Sequence, residues 1–253
     1  MPGGLGKMLA GRESDQEQSV VLRLNSYRRL SDAGVAAIRA AARERVLKAG
    51  AGEEIAGEGD RADTIRMFLS GWACRYKALE DGRRQIVSLI LPGDTCDAHI
   101  YLLSTMDHSI LTLTPIVYSE LDRAAFERLI SADITVAEAF HCEMLAARAV
   151  EREWAVNLGR RDALERVAHI ICELYERLRV VGQVDGSSFA FPVTQMDLAD
   201  TTGLSTVHLN RTLQELRAAG LITLRDRNLT IHDLQALRSA AMFNPNYLHL
   251  DQK

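Results

Sequence analysis

The residues with the most telling chemistry lie between Thr194 and Ile222, in TQMDLADTTGLSTVHLNRTLQELRAAGLI. Arg211 carries a planar guanidinium able to donate two parallel hydrogen bonds to guanine O6 and N7. Ser205, Thr206, His208 and Asn210 supply shorter polar groups for bases or phosphates, and Val207 supplies an apolar surface suited to a thymine methyl. These side chains can act together only from the outer face of one helix, near its N-terminus, and the spacing predicts that placement. Ser205 is a good N-cap, and Leu209, Leu213 and Leu216 recur at helical spacing and face inward. Upstream, Thr194 and Asp197 form a T-x-x-D capping arrangement, and Leu198 and Ala199 face in. Gly203 falls where the turn between the two helices needs a positive φ. Such a helix-turn-helix offers its second helix to the major groove of DNA.

The adjoining segment agrees with that reading. Leu221–Leu224 is a β-like run, Arg225-Asp226-Arg227-Asn228 a turn, and Leu229–Ile231 a returning strand. A hairpin directly behind a helix-turn-helix makes a winged helix, with Arg225 and Arg227 at the wing tip placed to reach phosphate. The net charge of −4 means that affinity for DNA has to come from local basic groups rather than the overall field.

At 253 residues the chain has room for two modest domains, and the expected class is α+β. No segment approaches a membrane span, and MPGGLGKMLAGRESDQEQS lacks the apolar core of a secretory signal. A cytoplasmic protein with a flexible leader over 1–30 is expected. The four cysteines, Cys74, Cys96, Cys142 and Cys172, contain no C-x-x-C pair and read as reduced, mostly buried thiols. No G-x-S-x-G elbow, phosphate loop or H-E-x-x-H is present, so the chain reads as no enzyme, with neither cofactor nor metal site.

The elements that must position the reading helix are ordered along the chain. Ser31 caps a first helix, and from Val46 to Leu121 short strands alternate with glycine turns. Strands are expected at Arg66–Leu69, Trp72–Lys77, Gln85–Leu91, Ser109–Thr114 and Ile116–Leu121. Together they predict an antiparallel β-roll over 31–130. Asp122 caps a short helix containing Phe126, Leu129 and Ile130. A long helix over 131–159 then carries Val136, Phe140, Met144, Ala147, Val150, Trp154 and Leu158 on one stripe, expected to pair with its twin across a two-fold axis. The winged helix spans 160–240, with a strand at Phe189–Phe191. The tail, 241–253, is expected to pack back through Phe243, Tyr247 and Leu250.

In this order the chain resembles the Crp/Fnr superfamily of bacterial transcription regulators over about Ser31 to Leu237. The resemblance rests on Thr194–Ile222 behind the roll and on Pro92-Gly93-Asp94 before a sensor loop. The stretches WAVNLGRRDALERVAHIICELYERL and GLSTVHLNRTLQELRAAGLI look like an alphaproteobacterial branch whose effectors are mostly undefined. It implies a homodimer that reads a near-palindromic promoter site in double-stranded DNA and engages RNA polymerase. In cyclic-AMP-binding members a Gly-Glu pair holds ribose and an Arg-Ser pair holds phosphate. Placed without gaps, those positions fall here on Asp97-Ala98 and His108-Ser109. The ribose acceptor is missing, and an imidazole stands in place of the guanidinium fork. Asp97, Ala98, His99, His108 and Ser109 are therefore candidates for a pocket that takes an unidentified small effector rather than cyclic AMP. The iron–sulfur branch needs an N-terminal cysteine cluster, and no cysteine precedes Cys74. A second reading is a cyclic-nucleotide-binding-like signalling module that acts through a protein partner. Salt-dependent binding to duplex DNA separates the two.

Overall fold

The computed structural model describes residues 17–250. They form two compact units, one holding 17–73 with Ile90–Met144, the other Cys74–Leu89 with Leu145–Leu250.

In the first unit, helices α1 (Gln18–Tyr27) and α2 (Asp32–Glu44) precede strands β1 (Val46–Ala49), β2 (Glu54–Ala56) and β3 (Thr64–Ser70). Strands β4 (Ala73–Ala78) and β5 (Arg84–Ile90) lie almost wholly in the second unit and are adjacent in their sheet. Then come β6 (Thr95–Cys96), a 3-10 turn at Ile100–Leu102, β7 (Ser109–Thr112), β8 (Ile116–Asp122) and helix α3 (Arg123–Ala132). One antiparallel sheet runs β1-β8-β3-β6, and β2 pairs antiparallel with β7 across a register shift between Glu54 and Ala56. The period-2 alternation of β3 divides two cores. Ile65, Met67 and Leu69 pack with Val20, Leu24, Ile38, Phe126 and Phe140 from the helices. Phe68 packs with Ala73, Ile90, Ile110 and Tyr118 on the other face. Gly71 turns the chain at φ +82°, and a Cβ there would stand 2.3 Å from the Pro115 carbonyl oxygen, so only glycine fits.

Each expected strand is present within two residues at either end, and β1, β2 and β6 are additional. Of the leader expected over 1–30, residues 1–16 lie outside the described residues. The remainder is not a leader: α1 is helical, and Val20, Val21, Arg23 and Leu24 are buried. The apolar spacing Val20, Val21, Leu24 is a one-turn helical signal, too short to stand out beside the polar stretch that precedes it.

The long helix α4 (Ile134–Arg160) runs through the boundary at Met144. Three residues of the expected dimer seam are taken up by the chain's own cores. Val136 and Phe140 are fully buried in the first unit's own core, where Phe140 meets Phe126 edge-on with centroids 5.1 Å apart. Trp154 is buried in the second unit, and its Nε1 donates to Glu173 at 2.9 Å. Met144, Val150 and Leu158 are half-buried, and Ala147 is exposed. An apolar stripe marks the face that seeks burial without saying whether the same chain or another covers it, and here the same chain covers Val136, Phe140 and Trp154. The outward face carries Ile134, His141, Leu145, Arg148, Arg152 and Val156.

In the second unit α5 (Ala163–Val180) starts with a capping box between Asp162 and Glu165. Strands β9 (Val184–Asp185) and β10 (Ser188–Ala190), helices α6 (Gln195–Thr202) and α7 (Thr206–Ala218), strands β11 (Ile222–Arg225) and β12 (Asn228–Ile231), and α8 (Leu234–Ala240) complete it. The sheet order is β11-β12-β10-β9. The tail packs back, as expected, through Phe243 and a 3-10 turn at Pro245–Leu248. Tyr247 donates to buried Glu173 at 2.8 Å, and Leu248 rather than Leu250 is the fully buried leucine. Among the described residues no helix is long and apolar enough to cross a membrane.

Candidate nucleic-acid interface and sensor loop

The helix-turn-helix is built as its sequence dictates. The Thr194 hydroxyl accepts from the Asp197 N–H at 3.1 Å, and the Asp197 carboxylate accepts in return from the Thr194 N–H, so orphan donors at the start of α6 are satisfied. Gly203 ends α6 in the left-handed region at φ +63°. The Ser205 hydroxyl then caps α7 by accepting from the His208 N–H at 3.2 Å. Leu209, Leu213 and Leu216 are buried, and Thr212 folds its hydroxyl back onto the His208 carbonyl.

That packing leaves the opposite face open. Ser205, Thr206, Val207, His208 and Arg211 are exposed, Val207 to 70 %, while Asn210 is half-buried. One helical turn beyond, Gln214 shares the outward side with Val207 and Arg211. Residue spacing does not single it out, because it lies past the N-terminal half of the helix. At the wing, Arg225 faces Asn228 across the ladder, and Asp226 and Arg227 take φ +51° and +59°, the geometry of a type I′ hairpin turn. Arg225 and Arg227 are both exposed.

The sensor-loop candidates make different contacts. Asp97 and His108 come together, with Oδ1 to Nε2 at 3.4 Å, and His108 Nδ1 lies 2.7 Å from Asp107. The Ser109 hydroxyl accepts from the Glu58 N–H at 2.9 Å, and Ala98 packs on the helix-side core. His99 turns elsewhere, stacking on His141 with centroids 5.5 Å apart and meeting Phe126 edge-on. Burial, aided by His141, lowers the pKa of His99 and keeps it neutral. Asp97 and His99 both sit at positive φ, so the backbone of this loop reverses locally in a way that residue spacing does not reveal. Among the described residues no group of three or more His, Cys, Asp and Glu is arranged to hold a metal ion. Cys74, Cys96 and Cys172 are buried and Cys142 is half-buried.

Sequence reasoning missed the groups that hold α6. Arg84 and Gln85 of β5 reach its carboxylates and last carbonyls, and Arg166 of α5 donates to the Thr202 carbonyl at 2.7 Å. Arg84 stands 113 residues from Asp197, and no local pattern links positions so far apart.

A β-roll followed by a capped helix-turn-helix with an open reading helix is an architecture of DNA-binding transcription regulators. Residues 46–133 match the cyclic nucleotide-binding domain family, and residues 165–240 match the Crp-like helix-turn-helix domain family. The chain is 27% identical over 195 residues to the transcriptional activator protein FnrL of Cereibacter sphaeroides, covering 76% of this chain and 78% of that protein. It is 29% identical over 191 residues to the nitrogen fixation regulation protein FixK of Rhizobium meliloti, covering 74% and 83%. Its fold is similar to the solved structure of FixK2 from Bradyrhizobium japonicum, with a TM-score of 0.69 at 24% identity over 77% of this chain and 96% of that one. The chain thus pairs a cyclic nucleotide-binding domain with a Crp-like helix-turn-helix domain, the organisation of the Crp/Fnr transcription regulators.

Proposed function

We propose that the chain acts as a homodimer that reads a near-palindromic promoter site with α7 and engages RNA polymerase there, under an effector other than cyclic AMP or an iron–sulfur cluster. The observation that carries the DNA reading is Arg211, exposed on the outward face of a helix whose opposite face is fully packed. Arg211 donates to a guanine, Val207 contacts a thymine methyl or packs beside it, and Thr206, His208 and Asn210 complete the base or phosphate contacts. Ser205 at the helix start, and Arg225 and Arg227 on the wing, take phosphates. A symmetric dimer places two such helices on successive major-groove faces, which makes the site near-palindromic. In the sensor loop, Asp97 lies 3.4 Å from His108, the residue at the position the family resemblance gives to the phosphate-binding arginine, and a carboxylate there argues against cyclic AMP.

The experiment is a selection of duplexes by the purified protein, then binding to the selected site and to random duplex. Affinity falls steeply with salt on both, and millimolar cyclic AMP leaves both unchanged. Arg211→Ala costs about 1–3 kcal/mol per half-site on the selected duplex and much less on the random one. Equal loss on both would make Arg211 a phosphate clamp.

A further inference from the structure

Arg84 opens β5, in the stretch that matches the cyclic nucleotide-binding family, yet its side chain is committed to the helix-turn-helix. Its Nη2 stands 2.7 Å from Asp197 Oδ1 and its Nε 2.8 Å from Asp200 Oδ2. The two carboxylates lie three residues apart on α6, so one rigid guanidinium fork spans both. The Tyr76 ring lies 5.7 Å from the same guanidinium and backs it from β4. The side chains are mostly out of water, at 18 % exposed for Arg84, 11 % for Asp197 and 25 % for Asp200. Alongside, Gln85 Nε2 donates to the Asp200 carbonyl at 2.6 Å, and Arg166 takes the Thr202 carbonyl. These are carbonyls of the last turn, which no helix N–H can satisfy.

Helix α6 is thus held from outside at its carboxylate side and at its C-terminal end. Only Gly203, Leu204 and the Ser205 cap separate it from α7, so a rotation of α6 is passed to the reading helix. We propose that Arg84, assisted by Gln85, is a positioning residue for DNA recognition: the β4–β5 hairpin clamps α6 and so holds α7 in its DNA-competent orientation. The clamp also offsets part of the negative charge that Asp197 and Asp200 put beside the reading helix. This rests on α7 being the DNA-reading element.

The test compares Arg84→Ala, Arg84→Lys, Asp200→Asn and the Arg84→Ala/Asp200→Asn pair by fluorescence anisotropy. Each is titrated with the duplex selected by the unaltered chain and with random duplex at one salt concentration, beside a thermal melt. Arg84→Ala is expected to lose about ten-fold affinity for the selected duplex, as coupled charge pairs do, while affinity for random duplex changes less than about two-fold. Arg84→Lys recovers part of that loss, because it keeps the charge and gives up the fork. The double variant binds no worse than Arg84→Ala, since both substitutions break the same contact. A merely structural role would lower the melting temperature and leave the ratio of selected to random binding unchanged. Unchanged or tighter selected binding by folded Arg84→Ala overturns the proposal, as does equal loss on both duplexes. If Arg84→Ala does not fold, the comparison of Arg84→Lys with Asp200→Asn decides, with unchanged selectivity in both as the overturning result. An unaltered chain that binds no duplex overturns the DNA reading itself and the clamp with it.

Discussion

At the scale of single residues, Glu143 departs from its sequence-level character. It lies in α4, a helix whose acidic side chains would ordinarily face water, yet it is buried and accepts from the Thr95 N–H at 3.0 Å. Burial pushes its carboxyl up to about 8, with the Asp94 charge adding and the Thr95 bonds and Arg23 opposing. Arg23, itself fully buried on α1, is engaged by Asp94 at 3.1 Å and cannot neutralise both acids. Because the folded value lies above the ordinary 4.5, the fold prefers the protonated acid. The stability this contributes is complete below the unfolded value and is lost as pH rises through about 8. Glu143→Gln keeps an acceptor for Thr95 without the charge, so its melting temperature should fall less steeply than the parent's between about pH 5 and about pH 9. Parallel pH profiles for the two proteins would contradict this account.

At the scale of elements, the end of α4, helix α5 and the tail are joined by one buried acid. Glu173 accepts from Trp154 at 2.9 Å, Tyr247 at 2.8 Å and Arg177 at 3.2 Å. Close by, His169 stacks on Tyr247 and meets Phe243 edge-on. Its Nε2 stands 3.3 Å from Glu153, the geometry of an ion pair, but burial and the Arg161 charge push its pKa down to about 3 and the ring stays neutral. The desolvation of a fully enclosed imidazole outweighs one carboxylate at that distance. The tail is therefore structural. Tyr247→Phe keeps the ring and removes one donor from a buried carboxylate, and should cost about 1–3 kcal/mol in chemical denaturation. A cost near zero would mean that the tail contributes packing alone.

At the scale of the whole molecule, we propose the outward face of α4 for assembly. Leu145 is 60 % exposed and Val156 47 %, and both lie on the outward side with Ile134. Exposed aliphatic side chains on a long helix suit the seam of the proposed homodimer. Leu145→Glu should leave each unit folded and yield a species that sediments as a monomer and binds the selected duplex weakly. Phe140→Asp should instead unfold the first unit, because it buries an unpaired charge in the core. A Leu145→Glu protein that remains a dimer would move the seam elsewhere.

The sequence by itself determined most of what depends on neighbours within a turn of the helix-turn-helix and its wing. The caps at Thr194, Ser205, Asp122 and Ser31, the left-handed Gly203, the wing turn at Asp226-Arg227 and the inward leucines of α7 all come from short-range rules of hydrogen bonding and periodicity. The open reading face comes with them, since the positions that are not packed are the ones left over. The tertiary structure decided which apolar stripe meets which partner, because burial is non-directional and a hydrophobic face carries no address. That is why Val136, Phe140 and Trp154 serve the chain's own cores. It decided the sensor loop, where His108 meets Asp97 while His99 stacks on His141. It also decided the ion pairs of Arg84 and the burial of Glu143, since charges far apart in the chain are brought together only by the path of the backbone between them.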